Sequence, residues 1–339
     1  MRILGLNYEY TTTGSTLALL WLLDYWRASG HTVSVSAVES AEGPIKQQYR
    51  QRDIPVLDAP ATGAFDVVIC NTVLTAPQLL EWAGSAKTIW WIHEGSVGLR
   101  HLLQHPPQIA AFGAAAAVVF PIAHLRDAIY QSFVYDKDAA RFTIIPYGIP
   151  AVGSAATTRR DANLIRIVSV GSIYPRKRHE DLIRAVSLCG GTPIKCQIAG
   201  KFFSLPDDCM SLIAGDPERY ELTGELARDA TLELVASADV FCLPSGSEVL
   251  PLTVLEAAML EKPLILSDLS VYQGIWRHGH NCLTYPVGAI GLLAQLIGNL
   301  ATNPDLSARL GAAARQTASR YTDGAFYARF DALLSSLCG

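Results

Sequence analysis

The sequence predicts an α/β protein of two domains, each built on a parallel β-sheet. Three observations indicate this fold class. The chain has 339 residues, which exceeds the usual size of a single domain. Half of the residues are hydrophobic and 17% are charged, a composition that can cover a sheet on both faces. Short apolar runs alternate with helical patterns along both halves, and this alternation is typical of βαβ units.

The first half contains a series of apolar runs that we interpret as strands. The runs at 66–70 and 88–92 are apolar at nearly every position, as expected for strands buried on both faces. A helix over 15–29 follows the first strand and ends at Gly30, a residue suited to the left-handed position after a helix. The predicted strands are 2–7, 31–35, 66–70, 88–92, 115–120 and 142–145.

The segment 150–161 lacks apolar periodicity, so we place a linker there. The predicted domains are therefore 1–150 and 160–322, followed by a C-terminal helix within 323–339. In the second domain we predict strands at 165–170, 195–199, around Cys242 and at 263–266, and helices at 180–188, 231–237, 290–301 and 306–318, before the amphipathic helix 325–337.

Composition excludes several classes of partner and compartment. The net charge of −4 gives no electrostatic basis for binding nucleic acid. The seven cysteines include no Cys-x-x-Cys pair, which indicates a reduced, cytoplasmic chain. No apolar run reaches about 18 residues, so no membrane-spanning helix is expected. Apolar residues around 99–109 allow at most peripheral contact with the inner face of the membrane.

Glu248 and Glu256 form the most informative pair in the chain. An apolar strand precedes them, and a helix with Pro251 in its first turn is predicted between them. The amides of Leu252 and Thr253 then have no intrahelical acceptor and could hold a phosphate. Because carboxylates repel a phosphate, we assign both glutamates to hydroxyl groups. The alternative is that both are solvated surface charges.

This segment resembles the Glu-x7-Glu element of retaining glycosyltransferases with the GT-B fold, in particular glycosyltransferase family 4. The resemblance implies two Rossmann-like domains that face each other across a cleft, with the last helix crossing back to the N-terminal domain. It implies that Glu256 binds the nucleotide ribose, that Glu248 binds hydroxyls of the donor sugar, and that the amides between them hold the diphosphate. The family usually has Phe-Gly where this chain has Leu250 and Pro251.

A basic turn follows the strand 165–170. Arg176, Lys177 and Arg178 lie beyond the carboxyl end of that strand. Cations at this place would stabilise the negative charge that gathers on a departing diphosphate, so no metal is required. The sequence shows no cluster of metal ligands, and Asp207 with its neighbour Asp208 is assigned to a solvated loop.

The resemblance also bears on this turn. The family has a Lys at the position of Lys177, with a Gly at the position of Gly171 marking the strand end. It commonly has an Arg directly after that Gly, where this chain has Ser172. We hypothesise that Arg176 supplies the guanidinium instead. Arg178 stands where the family usually has Gly, and a solvated basic turn is the alternative for the whole segment.

Three further residues complete the candidate site. His93 follows the strand 88–92 and could donate to a sugar hydroxyl or a phosphate oxygen; the family has a His near this strand end at the reaction centre, and a structural His is the alternative. Gly14 opens the first long helix, where its amide could approach the diphosphate, or it is a simple entry turn. Gly224 ends a segment that resembles the turn whose backbone reads the nucleotide base, or it is a strand end.

The leading hypothesis is a metal-independent retaining glycosyltransferase that needs no cofactor. It would move a sugar from a UDP- or GDP-sugar on the C-terminal domain to a glycan, lipid-linked or small-molecule acceptor on the N-terminal domain. Domain closure would exclude water and suppress donor hydrolysis. The alternative is a catalytically inactive nucleotide-sugar-binding or scaffold protein on the same fold. A dehydrogenase is disfavoured, because the Gly-x-Gly-x-x-Gly pattern of dinucleotide sites is missing.

Overall fold

The structure is a computed structural model that describes residues 1–39, 42–134, 141–152, 164–191 and 193–339. These residues form two compact units. The first unit comprises Met1–Gly148 together with Asp323–Gly339, and the second comprises Ile149–Thr322. Most of the predicted linker, 150–161, lies outside the described residues.

The first unit is built on a six-stranded parallel sheet. Its strands are β1 (Arg2–Asn7), β2 (Thr32–Ala37), β3 (Val67–Asn71), β4 (Lys87–Trp91), β5 (Ala117–Phe120) and β6 (Phe142–Ile144). Its helices are α1 (Gly14–Ala28), α2 (Pro44–Gln51), α3 (Ala76–Trp82), α4 (Ser96–Gln104), α5 (Ala111–Ala114) and, from the end of the chain, α12 (Asp323–Cys338). Every residue of β3 is buried, so the sheet is covered on both faces at its centre.

The C-terminal helix α12 packs on α1 within this unit. The Tyr25 and Tyr327 rings stack with centroids 4.1 Å apart. Trp26 Nε1 donates a hydrogen bond to Asp331 Oδ1 at 2.8 Å. The Trp26 and Phe330 rings meet edge to face at 6.1 Å. The last helix therefore contributes aromatic and polar contacts to the core formed by the N-terminal half of the chain.

The second unit is built on another six-stranded parallel sheet. Its strands are β7 (Ile165–Val170), β8 (Ile194–Ala199), β9 (Tyr220–Gly224), β10 (Val240–Leu243), β11 (Leu264–Ser267) and β12 (Leu283–Tyr285). Its helices are α6 (His179–Leu188), α7 (Asp207–Gly215), α8 (Arg228–Ser237), α9 (Leu252–Met259), α10 (Ile290–Thr302) and α11 (Pro304–Ala318). One core cluster joins inward-facing residues of all six strands with α6 and α10.

Both sheets reverse their strand order at one place. The first has the order β2-β1-β3-β4-β5-β6, with a single bridge from Val35 to Val56 beyond β2, and the second has the order β9-β8-β7-β10-β11-β12. The reversal falls between β1 and β3 in the first unit and between β7 and β10 in the second. Loops leave such a switch point in opposite directions, and ligands of open α/β sheets bind in the crevice that results.

Most of the predicted elements are confirmed. The strands at 2–7 and 165–170 have the predicted bounds, and Gly30 has the expected left-handed backbone with φ +89°. The loop predicted at Asp207 and Asp208 was wrong: both residues lie in the first turn of α7, where carboxylates interact favourably with the helix dipole. Among the described residues, every helix is too short or too polar to cross a lipid bilayer.

Candidate functional site

The loops after β7 and β10 meet at the switch point of the second sheet. Lys177 Nζ lies 2.6 Å from Glu248 Oε1, and the two side chains are 15% and 8% exposed. Ser245 Oγ donates a second hydrogen bond of 2.6 Å to the same carboxylate oxygen. The structure thus brings together a predicted cation and a predicted sugar-binding carboxylate that lie 71 residues apart in sequence.

Arg176 is tied to the same pair of loops. Its Nη1 donates to the carbonyl oxygen of Ser247 at 2.7 Å, and its Nε donates to Tyr174 Oη at 2.8 Å. In return, the amide of Gly246 donates to the carbonyl oxygen of Arg176 at 2.8 Å. The side chain remains exposed, so a second positive charge faces solvent beside Lys177.

Two glycines let the neighbouring loops approach each other closely. A Cβ on Gly200, where φ is +149°, would lie 2.2 Å from the carbonyl oxygen of Gly171. A Cβ on Gly171 would lie 3.5 Å from Lys177 Cε, so the lysine stem rests against the bare backbone of the strand end. Ser172 continues this turn and is partly exposed. Glycine is needed at position 200 for sterics as well as for backbone conformation.

The turn ends in a residue with unusual backbone geometry. Arg178, which replaces the usual glycine of the resembled family, has φ +52° in the left-handed region. Its Nε lies 2.6 Å from Asp181 Oδ2, and the Asp181 side chain is fully buried. This guanidinium therefore neutralises a carboxylate within α6, whereas Lys177 pairs with a carboxylate of the facing loop and Arg176 is exposed.

Helix α9 presents its N-terminus to the same edge. Pro251 is the N-cap residue and not part of the first turn as predicted, and α9 begins at Leu252. The amides of Leu252 and Thr253 are the first two of the helix, which have no intrahelical acceptor. Thr253 Oγ1 donates to the carbonyl oxygen of Val170 at 3.5 Å, which links the helix start to β7. The end of the helix dipole there favours an anion.

Glu256 lies one turn further along α9 and is 7% exposed. Arg228 Nη2, at the start of α8, lies 3.0 Å from Glu256 Oε1. Burial raises the pKa of the Glu256 carboxyl, and the nearby Arg228 cation opposes part of that rise. The alternative of a solvated helix charge is therefore wrong for Glu256, and burial excludes it for Glu248 as well.

Gly224 joins the loop after β9 to the same edge. Its carbonyl oxygen accepts a hydrogen bond of 2.8 Å from the amide of Gly200. Its φ is +74°, and a Cβ placed on it would meet no atom within 4 Å. Backbone at this strand end is therefore accessible to a planar ligand beside the loop after β8.

In the first unit, His93 belongs to a buried chain of neutral polar groups. Its Nε2 lies 2.5 Å from Asn71 Oδ1, and its Nδ1 lies 2.5 Å from Tyr147 Oη. Asn71 Nδ2 donates to Asn7 Oδ1 at 2.8 Å, so Asn71 Oδ1 acts as an acceptor. His93 consequently donates through Nε2 and accepts from Tyr147 through Nδ1. Burial lowers the pKa of His93 to about 3, which keeps the ring neutral.

Two other residues of the first unit are Gly14, at the start of α1, and Glu94, in the loop after β4. Gly14 is the first residue of α1, which is capped by Thr13: the Thr13 amide donates to Thr16 Oγ1 at 2.9 Å, and the Thr16 amide donates to Thr13 Oγ1 at 3.4 Å. Glu94 accepts hydrogen bonds of 3.1 Å from the amides of Val73 and His93. Burial raises the pKa of Glu94 to about 7 despite those bonds.

Sequence reasoning missed four residues of these networks. Asn71 is the last residue of β3, so its strand-end position was a usable signal. Ser245 lies within the glutamate element and was also within reach. The pairings of Tyr147 and Arg228 carried no local signal, because their partners His93 and Glu256 lie 54 and 28 positions away.

One protein-family model matches the chain. Residues 155–317 match the family described as "Glycosyl transferases group 1". The match covers β7–β12 and therefore includes all the contacts described above for the second unit.

Two curated proteins are similar over shorter segments. The chain is 30% identical over 116 residues to "Alpha-galactosylglucosyldiacylglycerol synthase" of Streptococcus pneumoniae (strain ATCC BAA-255 / R6), which covers 33% of this chain and 31% of that protein. It is 34% identical over 91 residues to "Putative glycosyltransferase EpsD" of Bacillus subtilis (strain 168), covering 27% and 24%. The chain thus spans less than a third of either relative's length.

Similarity to solved structures extends along the whole chain. The Anabaena protein Alr3699/HepE in complex with UDP has a TM-score of 0.81 at 19% identity, covering 99% of this chain and 100% of that one. The same protein has also been solved with UDP-glucose, with a TM-score of 0.80. The predicted α/β fold with two Rossmann-like domains is confirmed.

Proposed function

We propose that this chain is a retaining, metal-independent glycosyltransferase that moves a sugar from a nucleotide-sugar donor to a glycan, lipid-linked or small-molecule acceptor. One observation carries the proposal. The Lys177 cation and the Glu248 carboxylate meet at 2.6 Å at a switch point, on the loops that also lead to the N-terminus of α9. UDP-glucose is the first donor to test, because the HepE structures contain UDP and UDP-glucose; a GDP-sugar is the second.

The donor would lie across the carboxyl edge of the second sheet. The diphosphate fits the helix N-terminus and the two cations, which together supply amide donors and positive charge. The two buried carboxylates fit alcohols, with Glu248 on the sugar and Glu256 on the ribose. The backbone around Gly224 faces the base. The full proposed donor set is Gly171, Ser172, Arg176, Lys177, Gly224, Glu248, Leu252, Thr253 and Glu256.

The proposed reaction exchanges one bond at the anomeric carbon. The bond from that carbon to the diphosphate oxygen breaks, the acceptor oxygen forms the new bond, and the acceptor proton passes to the released nucleotide. Negative charge on the departing oxygen grows towards the transition state, where Lys177 and Arg176 stabilise it most. These side-chain cations supply the charge that a metal ion would otherwise provide. Retention of the anomeric configuration is inferred from the family resemblance.

We assign the acceptor to the first unit, with Gly14 at the start of α1 and His93 in the loop after β4. Both ring nitrogens of His93 are engaged, so direct contact with substrate requires the ring to exchange Asn71 or Tyr147 for a substrate hydroxyl. A reducing, cytoplasmic compartment suits the seven free cysteines, five of which are buried. Any membrane contact is proposed to be peripheral.

The second candidate function is nucleotide-sugar binding without turnover. Ser172 favours it, because the resembled family commonly has an Arg at that position. Both candidates predict binding of the nucleotide, so turnover has to separate them.

The deciding experiment measures binding and release side by side. Thermal shift with UDP, UDP-glucose and GDP-glucose reports binding, and a coupled assay reports UDP released from UDP-glucose in the presence of EDTA. We expect EDTA-resistant release that Glu248→Ala abolishes. Glu221→Ala, at an exposed ion pair with Lys195 of 3.3 Å, is the matched control and keeps activity.

The remaining outcomes are equally informative. Stabilisation by UDP without any release, both alone and with added glycan, lipid-linked and small-molecule acceptors, would select the binding protein. No stabilisation by any nucleotide would overturn both candidates. Release that stops in EDTA and returns with a divalent cation would refute metal independence.

A further inference from the structure

Arg228 holds the carboxylate assigned to the ribose. Its Nη2 lies 3.0 Å from Glu256 Oε1, and the two side chains are 33% and 10% exposed. Arg228 is the first residue of α8, and Glu256 lies in the middle of α9. The pair therefore joins two helices that flank β10 in sequence. Glu256 lies about one turn beyond the α9 amides assigned to the diphosphate, and the pair is separate from the Lys177–Glu248 contact.

A carboxylate in this place meets a physical difficulty. To accept hydrogen bonds from two ribose hydroxyls it has to be ionised and fixed in orientation. Its burial opposes ionisation, and the Arg228 cation favours it. A carboxylate also has two oxygens, and the ion pair uses Oε1. The second oxygen remains to receive a ligand, and the ion pair favours the side-chain position that leaves it available.

The charges on the other packed elements do not take this role. The strands β10 and β11, on which α9 packs, contain no charged residue. On α8, Asp229 and Glu233 are exposed. On α11, Arg315 pairs at 2.8 Å with Glu261, which lies beyond the C-terminal end of α9.

We propose that Arg228 is a positioning residue for nucleotide binding, holding Glu256 so that its second carboxylate oxygen accepts the ribose hydroxyls of the donor. The inference rests on the proposed function and adds to it a residue that has no contact with substrate. It makes a directional prediction: removal of Arg228 weakens binding of UDP. If Arg228 instead blocked Glu256 and had to be displaced, its removal would strengthen binding.

The test is calorimetric titration of UDP between pH 6 and pH 8.5. For Arg228→Met we expect about tenfold weaker binding at pH 6.5, which corresponds to one charge-assisted hydrogen bond. Without the cation the Glu256 pKa rises further, so its protonated fraction grows and the loss shrinks as the pH increases. Ionisation of UDP itself affects the binding of every variant equally. A difference between the pH curves of two variants therefore arises from ionisation of the protein. Arg228→Lys retains the charge and restores part of the affinity.

Two further variants complete the design. Glu256→Gln weakens UDP binding at every pH, and the double variant Arg228→Met/Glu256→Gln binds no more weakly than Glu256→Gln alone, because Arg228 acts through Glu256. Arg184→Met, at an ion pair of 2.7 Å with exposed Asp208, controls for the loss of a surface arginine and leaves affinity unchanged.

The outcomes separate this inference from the proposed function. Unchanged UDP affinity in Glu256→Gln overturns the assignment of Glu256 and hence the donor site itself. Weak binding by Glu256→Gln together with unchanged or tighter binding by Arg228→Met overturns only the role of Arg228. A loss in Arg228→Met that has the same size at every pH also overturns it. If Arg228→Met does not fold, the comparison of Arg228→Lys with the charge-free double variant still decides.

Discussion

The switch points of the two sheets differ in chemistry although their strand orders correspond. Between β1 and β3 the strand ends carry Asn7 and Asn71, which hydrogen-bond to each other, and His93 joins them from β4. Between β7 and β10 the strand ends lead to Lys177 and Glu248, a pair of opposite charges, with the α9 N-terminus following. The first arrangement is neutral, and we call it the neutral edge. The second contains opposite charges, and we call it the ionic edge.

This difference indicates what each edge can bind. The neutral chain satisfies its own donors and acceptors, so it stabilises the fold and gives weak attraction to an anion. The ionic edge keeps Arg176 exposed and offers helix amides, so it attracts a diphosphate. The fold alone does not determine which sheet holds the donor; the side chains after the strands do.

The largest expected effect is at the ionic edge. Lys177→Met removes the cation next to Glu248, and we expect sugar transfer to fall by roughly 10²–10³-fold, the usual size for a lost electrostatic group. Lys195→Met removes a lysine from another Lys–Glu pair of 3.3 Å in the same unit and serves as the control. Release of UDP from UDP-glucose measures both. Equal and small losses of UDP release in Lys177→Met and Lys195→Met would contradict a special role for the ionic edge and remove its distinction from the neutral edge.

The next effect concerns close approach of the loops at the ionic edge. Gly200→Ala places a Cβ 2.2 Å from the carbonyl oxygen of Gly171, and we expect a loss of about 3 kcal/mol in the free energy of unfolding. Gly224→Ala meets only backbone strain at φ +74° and open space, so we expect about 1 kcal/mol. Urea unfolding of the two variants compares them. Similar values would show that the clash is relieved by movement of the backbone.

A smaller effect tests the neutral edge. His93→Leu leaves Asn71 Oδ1 and the Tyr147 hydroxyl without their buried partner, and we expect about 2 kcal/mol lower stability in urea. The affinity for UDP should not change, because the donor is assigned to the other unit. Full stability combined with lost turnover would instead give His93 a direct role in the reaction.

The smallest effect is a dependence of stability on pH. Burial raises the pKa of Glu94 in the folded protein to about 7, above its ordinary value of 4.5, so folding retains a proton that the unfolded chain releases. The contribution of Glu94 to the free energy of unfolding is complete below about pH 4.5 and is lost as the pH rises through about 7. Relative to Glu94→Gln, the native protein should lose about 1–2 kcal/mol between pH 4.5 and pH 7.5, a value reduced for partial exposure. Parallel urea curves at all pH values would contradict this.

Much of the fold was predictable because the elements carry strong local signals. β1 and β7 are short apolar runs between polar residues, and both have the predicted bounds. Helix α2 was missed because Pro44–Gln51 is short and mostly polar, with Ile45 and Tyr49 as its large apolar residues. Helix α7 was missed because Asp207 and Asp208 were interpreted as loop residues, although Pro206 followed by two acidic residues is a helix-start signal.

The candidate site was predictable only in part. Lys177, Glu248 and Glu256 were identified from their spacing and from strand-to-helix context, and the structure shows all three to be at least partly buried. The partners of these residues were not predictable. Arg228 lies on α8 and Tyr147 lies in the loop after β6, and the position of each depends on sheet order, which is a non-local property.

The sequence by itself determined the αβ alternation, the basic turn after β7 and the glutamate pair around the start of α9, because each follows from neighbouring residues along the chain. Only the tertiary structure decided that Lys177 touches Glu248, that Arg228 holds Glu256 and that His93 is closed between Asn71 and Tyr147. Those contacts depend on which strands lie side by side, and burial then sets which charges are ionised and which polar groups are already satisfied.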